Sequence, residues 1–134
     1  METNWEMRIL LVDNNQVTLK LIDKTLRVNN VKRCVTHSVK DLAYLYKELH
    51  LFNPDAIVTT RTNKGFEAYD VITMVKKYNE YIPIYIVTTD TKRIDDAFLL
   101  QKGVNEIVML SDLTELHTKI ESKFDAKVIE LIKK

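Results

Sequence analysis

The chain has 134 residues, of which 46% are hydrophobic and 29% are charged, and it contains only two glycines and two prolines. A chain of this length and composition can bury its own core, which predicts one globular domain and excludes a disordered or collagen-like protein. Twenty basic and nineteen acidic residues give a formal net charge of +1. We therefore expect no nucleic-acid partner and no attraction to an anionic membrane.

The apolar runs of the sequence are too short to cross a membrane. The longest have about six residues, whereas a membrane-spanning helix needs about twenty. The N-terminal stretch METNWEMR contains acidic residues and lacks the apolar core of a signal peptide. We expect a cytoplasmic protein without a membrane partner. Its three histidines are scattered without the spacing of metal ligands, so no histidine metal site is predicted.

Five short apolar runs alternate with five segments of helical periodicity. The runs MRILLV, AIVTT and IPIYIVT are nearly continuous, as in strands that are buried on both faces. In the intervening segments, apolar residues recur at three- and four-residue intervals, which is typical of helices with one buried face. The predicted strands are 7–12, 31–36, 56–60, 82–88 and 105–110, and the predicted helices are 16–29, 38–51, 66–78, 93–102 and 111 onwards.

Capping residues and apolar stripes define the predicted helices further. Ser38 and Ser111 are expected to be the N-caps of the second and last helices, and Gly103 ends the fourth. The last helix is expected to continue about ten residues beyond the sheet. Positions predicted to face the core include Val17, Leu21, Val28, Tyr46 and Tyr69. The predicted divisions are an N-terminal extension (1–6), a domain (7–124) and an extension of the last helix (125–134).

Strict alternation of strand and helix predicts an α/β fold. The strands should be parallel and joined by right-handed crossovers, giving a doubly wound five-stranded sheet with helices on both faces, a three-layer α/β/α sandwich. In such folds the functional site lies beyond the carboxyl ends of the strands. The residues expected there are Asp13, Asn14 and Asn15, Thr36 and His37, Thr59 to Thr62, Thr88 to Asp90, and Leu110 and Ser111.

Four segments in order, ILLVDNN, PDAIVTT, IPIYIVTT and KGVNEIVML, carry a resemblance. Over residues 7–124 the chain resembles the receiver domain of response regulators, the flavodoxin-like family that includes the chemotaxis regulator. The resemblance implies two-component signal transduction and a phosphorelay. It also implies a pocket with an aspartate nucleophile, an acidic pair that holds Mg²⁺ and a lysine that balances charge.

The sequence departs from this pocket at most of its positions. Asp13 keeps the first acid of the pair, but the second is Asn14, and Thr60 stands where the resemblance places the nucleophile. No acid occurs between positions 57 and 63, so a shifted alignment does not restore one. Leu110 occupies the lysine position, and only Thr88 keeps the residue type of the family. We predict a degenerate pocket with no cofactor other than weakly bound Mg²⁺ at Asp13.

The leading hypothesis is a pseudo-receiver, a non-enzymatic module that acts by binding a protein without aspartyl phosphorylation. Ile107 occupies the aromatic switch position of the family, so that switch is also in doubt. The resemblance implies that the partner is a histidine kinase or a separate output protein. It implies a partner face built from the fourth helix, fifth strand and fifth helix. The candidate residues of that face are Phe98, Gln101, Lys102, Ile107, Met109, Leu113 and His117.

Two alternatives remain open. Hydroxyl and basic side chains in the strand-end loops TTRTNKG and TTDTKR could hold a small phosphate or nucleotide that gates the domain. Alternatively, an unusual acid is phosphorylated and the chain is a true receiver. The last helix is also a candidate surface for a homodimer. The residues of the ligand hypothesis are Arg61, Thr62, Lys64, Thr89 and Asp90, of which Asp90 is more simply a helix cap.

Overall fold

A computed structural model of the chain describes residues 6–29, 33–61, 68–89 and 95–133, without the side chains of residues 29 and 33. Five strands alternate with five α-helices, and a single 3-10 turn, Leu110–Asp112, precedes the last helix. The strands are β1 (Glu6–Val12), β2 (Arg33–Val39), β3 (Ala56–Thr60), β4 (Ile84–Thr88) and β5 (Glu106–Met109). The helices are α1 (Gln16–Asn29), α2 (Leu42–Phe52), α3 (Ala68–Tyr78), α4 (Asp96–Gln101) and α5 (Leu113–Lys133).

All five strands are parallel and lie in the order β2-β1-β3-β4-β5. The chain therefore crosses from one side of β1 to the other after β2, which is the doubly wound arrangement. Every residue of β3 and β4 is buried, because helices cover both faces of the sheet. The predicted fold class, a three-layer α/β/α sandwich around a five-stranded parallel sheet, is confirmed.

Two apolar clusters lie on opposite faces of the sheet. One contains the buried side chains of α2, α3 and α4, and the other contains those of α1 and α5. Alternate residues of each strand belong to alternate clusters, as in β3, where Ile57 packs with α2 and α3 and Val58 packs with α1 and α5. This alternation determines on which side of the sheet each strand-end residue lies.

Two predicted N-caps are wrong. Strand β2 continues to Val39, so Ser38 is a strand residue, and α2 begins after Asp41, whose carboxylate accepts a hydrogen bond from the Ala43 amide (3.0 Å). Ser111 lies inside the 3-10 turn that precedes α5, because the chain already turns after Met109. Gly103 does follow α4, with a φ of 112° that suits a glycine.

Several apolar side chains that were predicted to face the core are exposed. In α1 the buried residues are Leu19, Ile22 and Leu26, which leaves one flank of the helix in solvent. The spacing of apolar residues along these helices is compatible with more than one buried face. Packing on the sheet buries only one narrow face of each helix. The wrongly predicted core positions are Val17, Leu21, Val28, Tyr46 and Tyr69.

Helix α5 is continuous to Lys133, but its buried positions end at Phe124. Beyond Phe124 the side chain of Val128 is half-buried against the α1/α5 cluster, and Ile129, Leu131 and Ile132 are exposed. The last turns of α5 therefore carry apolar side chains that this domain does not cover. Within the part of the chain that the structure describes, no helix has the length and apolarity to cross a membrane.

The two ends of α5 should contribute very differently to stability. Leu116 is fully buried and Leu131 is 48% exposed. We expect Leu116→Ala to lower the free energy of unfolding by about 2–5 kcal/mol, because it leaves a cavity. The matched variant Leu131→Ala should change it by less than about 0.5 kcal/mol. Urea unfolding curves measure both values. A large cost for Leu131→Ala would show that the end of α5 packs on the core.

Tyr85 provides a test of burial by pH. Burial in β4, with the Glu106 carboxylate as a smaller contribution, raises the pKa of the Tyr85 phenol to about 12. The unfolded chain therefore loses this proton first as the pH rises, which favours unfolding by about 2–3 kcal/mol between about pH 10 and 12. Below that range the contribution of the neutral phenol is constant. The stability of the wild type relative to Tyr85→Phe should fall only in that window, and a pH-independent difference would show an exposed phenol.

Candidate functional site

The carboxyl ends of β1, β3 and β4 bring three buried polar residues to one edge of the sheet. Val12 pairs in register with Thr59, so Asp13 and Thr60 are the next residues on neighbouring strands. Thr60 in turn pairs with Val87, and Thr88 follows it. Asp13, Thr60 and Thr88 are each no more than 2% exposed. The structure thus brings together three of the five predicted pocket residues.

Asp13 is held by the backbone around it. Its amide donates to the Val39 carbonyl oxygen (3.1 Å), which continues the pairing of β1 with β2. Its Oδ1 atom accepts a hydrogen bond from the Asn14 amide (2.7 Å). Beyond it, the Asn15 side chain accepts from the amides of Val17 and Thr18 and caps α1. The predicted acidic pair is therefore one buried carboxylate followed by two asparagines, one of which is a helix cap.

Thr59 and Thr60 point to opposite faces of the sheet. The Thr59 hydroxyl donates to the Val12 carbonyl oxygen (2.8 Å) and so ties β3 to β1. Thr60 has the same parity as Ala56 and Val58, which belong to the α1/α5 cluster. Asp13 has this parity in β1, after Met7, Ile9 and Leu11. The carboxylate of Asp13 and the hydroxyl of Thr60 are therefore on the same side of the sheet.

The remaining pocket positions are apolar. Leu110, at the predicted lysine position, lies in the 3-10 turn and packs against the α1/α5 cluster, the side of Asp13 and Thr60. It was predicted as the last residue of β5, but that strand ends at Met109. Ile107, at the switch position, is buried in the cluster of α2, α3 and α4 on the other side. An aliphatic side chain there has neither the ring nor the hydroxyl of the family's switch.

The donor set does not fit a tightly held Mg²⁺ ion. It consists of the Asp13 carboxylate, the Asn14 amide group and the Thr60 hydroxyl, whereas Mg²⁺ sites are built from carboxylates and water. Over residues 6–29, 33–61, 68–89 and 95–133, no group of three or more His, Cys, Asp or Glu side chains could hold a metal ion. Weak binding of Mg²⁺ at Asp13 stays a prediction.

Arg61, the residue after Thr60, forms ion pairs with the start of α4. Its Nη1 atom lies 2.7 Å from Oδ1 of Asp96, and its Nη2 atom lies 3.2 Å from Oδ2 of Asp95. The Arg61 side chain is 10% exposed. Arg61 was predicted to lie in a ligand loop, and neither aspartate was predicted as its partner. A separation of 35 residues, without any periodicity to link them, hides such a pair in a sequence.

The other residues of the ligand hypothesis do not add a described site. Thr89 is exposed, and Thr62, Lys64 and Asp90 lie outside the described residues. The N-cap residue of α4 is Asp95, not Asp90, because the helix begins at Asp96.

The candidate partner face is exposed only in part. Phe98, Gln101 and Lys102 of α4 are exposed, and the Lys102 ammonium lies 5.4 Å from the centre of the Phe98 ring. The ring of Tyr69 lies 5.7 Å from that of Phe98, which places a second exposed aromatic side chain beside this surface. Met109 and His117 are half-buried. Leu113 is buried in the α1/α5 cluster, so its inclusion in the face was wrong.

A groove of about 360 Å³ lies at the opposite, amino edge of the sheet. Asp55 before β3, Tyr81 before β4 and Phe124, Lys127 and Glu130 of α5 contribute to its walls. Burial raises the pKa of the Asp55 carboxyl, and the Arg8 amide and the Lys127 ammonium partly offset this effect. This groove was not predicted, since it is assembled from turns that are distant in the sequence and from the end of α5.

Solved structures with the same fold are response-regulator receiver domains. The chain is 16% identical to the RcsB response regulator of Salmonella typhimurium, with a TM-score of 0.75. The match covers 93% of this chain but only 62% of the RcsB chain. It is 16% identical to a CheY-like receiver domain protein of Methanospirillum hungatei, with a TM-score of 0.78 over 94% of this chain and 99% of that one. The signal receiver domain of a putative Luxo repressor from Vibrio parahaemolyticus gives 16% identity and a TM-score of 0.80 over 97% and 99%.

These likenesses show that the chain has the receiver fold of response regulators, as the sequence resemblance implied. No protein-family model matches the sequence, and no curated protein matches it. The chain spans about three fifths of the length of the RcsB chain. The likeness therefore does not show that this chain has the activity of a whole response regulator.

A carboxylate at position 60 tests whether the side chains of residues 13 and 60 lie close enough to bind one Mg²⁺ ion. Thr60→Asp places a second buried carboxylate beside Asp13, so in the presence of a chelator we expect a loss of about 1–3 kcal/mol in stability. Millimolar Mg²⁺ should restore part of this loss by bridging the two carboxylates. Thermal unfolding with and without Mg²⁺ measures the effect. The uncharged variant Thr60→Val is the control, and equal Mg²⁺ dependence in both variants would show that positions 13 and 60 do not converge.

Proposed function

We propose that this chain is an atypical receiver domain that acts in signal transduction by binding a protein, without conventional aspartyl phosphorylation. One observation supports the proposal above all. The residue at the end of β3, where the receiver fold places the phosphorylated aspartate, is a buried threonine, and no acid flanks it within three residues on either side.

Phosphoryl transfer to a carboxylate needs a nucleophile together with groups that stabilise the developing negative charge. At this edge Thr60 offers a neutral hydroxyl, which is not equivalent to the carboxylate nucleophile of a receiver domain. Leu110 offers no positive charge, and the donor set around Asp13 does not fit a tightly held divalent ion. The three requirements fail at three separate positions, so a single local rearrangement does not restore the chemistry. We therefore propose that the domain is not an enzyme and does not pass a phosphoryl group along a phosphorelay.

Its output would then be binding. The exposed surface that supports this part of the proposal is Phe98, Gln101 and Lys102 on α4, extended by the ring of Tyr69. Aromatic side chains are enriched at protein interfaces, and this surface exposes two of them. We propose that the partner is a protein of the same signalling system, either a histidine kinase or a separate output protein. Association of two copies through Ile129, Leu131 and Ile132 of α5 is a further proposal that rests on the exposure of these side chains.

A phosphate or nucleotide ligand at the strand ends is less well supported. It depends on a free positive charge, and Arg61, the basic residue of this hypothesis that lies within the described part of the chain, is already paired with Asp95 and Asp96. A phosphate near this guanidinium would have to approach two carboxylates as well, which opposes its binding. Cytoplasmic location stays a prediction from the sequence.

Amide NMR spectra with an acyl-phosphate mimic test the proposal directly. In the presence of Mg²⁺ we expect added beryllofluoride to cause no saturable shifts at Asp13, Thr60 or Thr88, because no carboxylate at the end of β3 can bind beryllium. Mg²⁺ with fluoride alone is the control for ionic effects. Saturable shifts that start at these strand ends and spread to Ile107 and α5 would contradict the proposal.

A variant with a restored pocket serves as the positive control. The triple change Asn14→Asp, Thr60→Asp and Leu110→Lys returns the second acid, the nucleophile and the lysine together. If this variant folds and binds beryllofluoride, the absence of shifts in the wild type is explained by these three residues and not by a failure of the assay.

A further inference from the structure

We infer that Arg61 is a permanent internal counter-charge that holds helix α4 against the end of β3. The position of the exposed surface on α4 would then be determined by an ion pair within the chain and not by a phosphoryl group. This inference rests on the proposed function, since it explains how a receiver fold without phosphorylation can present one constant surface.

The geometry of the ion pair supports this role. The Arg61 guanidinium contacts two carboxylates at once, Asp96 at 2.7 Å and Asp95 at 3.2 Å, through different nitrogen atoms. The side chains of Arg61 and Asp96 are only 10% and 18% exposed. Water screens such a pair far less than it screens an exposed one. Loss of one partner also leaves the other charge poorly solvated, which makes the pair costly to break.

Each side of the pair belongs to a different element of the fold. The Arg61 amide donates to the Val87 carbonyl oxygen (3.2 Å), so the backbone pairing of β3 with β4 continues one residue past Thr60. On the other side, Asp96 lies in the first turn of α4, where the helix dipole favours a negative charge. Asp95 is the N-cap residue, yet its side chain makes no capping hydrogen bond, and its carboxylate faces Arg61 instead.

Within the described residues, helix α4 buries little of its own surface. It is six residues long, and Leu99 is its one buried residue. A helix of this length has no stability of its own and depends on its tertiary contacts. Phe98 also contacts Tyr69 of α3, and Asp95 and Asp96 pair with Arg61 just after β3. The ion pair therefore links α4 directly to the end of β3.

Hydrogen exchange of the α4 amides tests the inference. In the full chain we expect Arg61→Gln to increase the exchange rates of the Leu99 and Lys102 amides about tenfold, while the amides of β1 and α1 change little. The matched control is Arg27→Gln, which removes an arginine from an exposed pair with Asp23 within α1. It should leave the α4 amides unchanged. Unchanged α4 exchange in a folded Arg61→Gln variant would overturn the inference.

A double-mutant cycle separates the pair from other roles of each residue. Asp96→Asn and Arg61→Gln should each speed α4 exchange, and the double variant should be no faster than the faster single variant by more than about twofold. If the double variant instead shows the product of the two single increases in α4 exchange rate, the inference is overturned. Should Arg61→Gln fail to fold, Asp95→Asn at the largely exposed carboxylate should still give about a twofold increase, and no increase there would overturn it.

These measurements use no phosphate mimic and no partner. A negative exchange result therefore removes the role of Arg61 and leaves the proposal of phosphorylation-independent binding intact. A positive beryllofluoride response would remove that proposal and leave the measured coupling of Arg61 to α4 as a property of the fold.

Discussion

Burial of the sheet on both faces is the constraint on which the rest of this structure depends. Because β3 and β4 have no exposed residue, a polar side chain within them must either bond to the backbone, as Thr59 does, or lie at a strand end. The crossovers place α2, α3 and α4 on one face and α1 and α5 on the other. All strands then finish at the same edge, which is why Asp13, Thr60 and Thr88 meet although they are distant in the sequence.

The positive charge described at that edge is already paired within the chain. The Asp13 carboxylate accepts a backbone amide, and the Arg61 guanidinium is matched by two aspartates. Leu110 contributes apolar packing where the resemblance implies a cation. A receiver pocket of the usual composition instead collects negative charge, which a metal ion and a lysine balance. At the positions described here, the guanidinium of Arg61 already has carboxylate partners within the chain, which is consistent with a module whose state does not depend on a bound phosphoryl group.

The sequence predicted the fold well because its strongest signals were the strands. AIVTT is a continuous apolar run between Pro54 and Arg61, and its predicted bounds, 56–60, are those of β3. Helix boundaries were less reliable, since Ser38 and Asp41 are both good caps and only the pairing of β2 with β1 decides between them. In α1, Leu21 and Ile22 fit overlapping stripes, and the choice between them depends on the sheet.

The candidate site could be predicted only in part for a related reason. Positions such as Thr60 follow from counting along single strands, and the structure places Thr60 beside Asp13 at the ends of neighbouring strands. Leu110 lies in the 3-10 turn after β5 and not at the end of the strand. The partners of Arg61 do not follow from counting, because the β3 and α4 segments become neighbours only after two crossovers. Ion pairs between distant loops produce no periodic pattern of residues from which they could be predicted. The same applies to the pairing of Lys127 with Asp55 across the amino-edge groove (3.9 Å).

The packing of Leu110 has a consequence for any route by which this fold could regain phosphorylation. A lysine at that position alone would place an ammonium against an apolar cluster, and an aspartate at position 60 alone would place a carboxylate beside Asp13 with no cation to match it. Each change is acceptable only in the presence of the others, so their effects are strongly non-additive. A series of single substitutions toward a working pocket would therefore pass through variants that fold poorly.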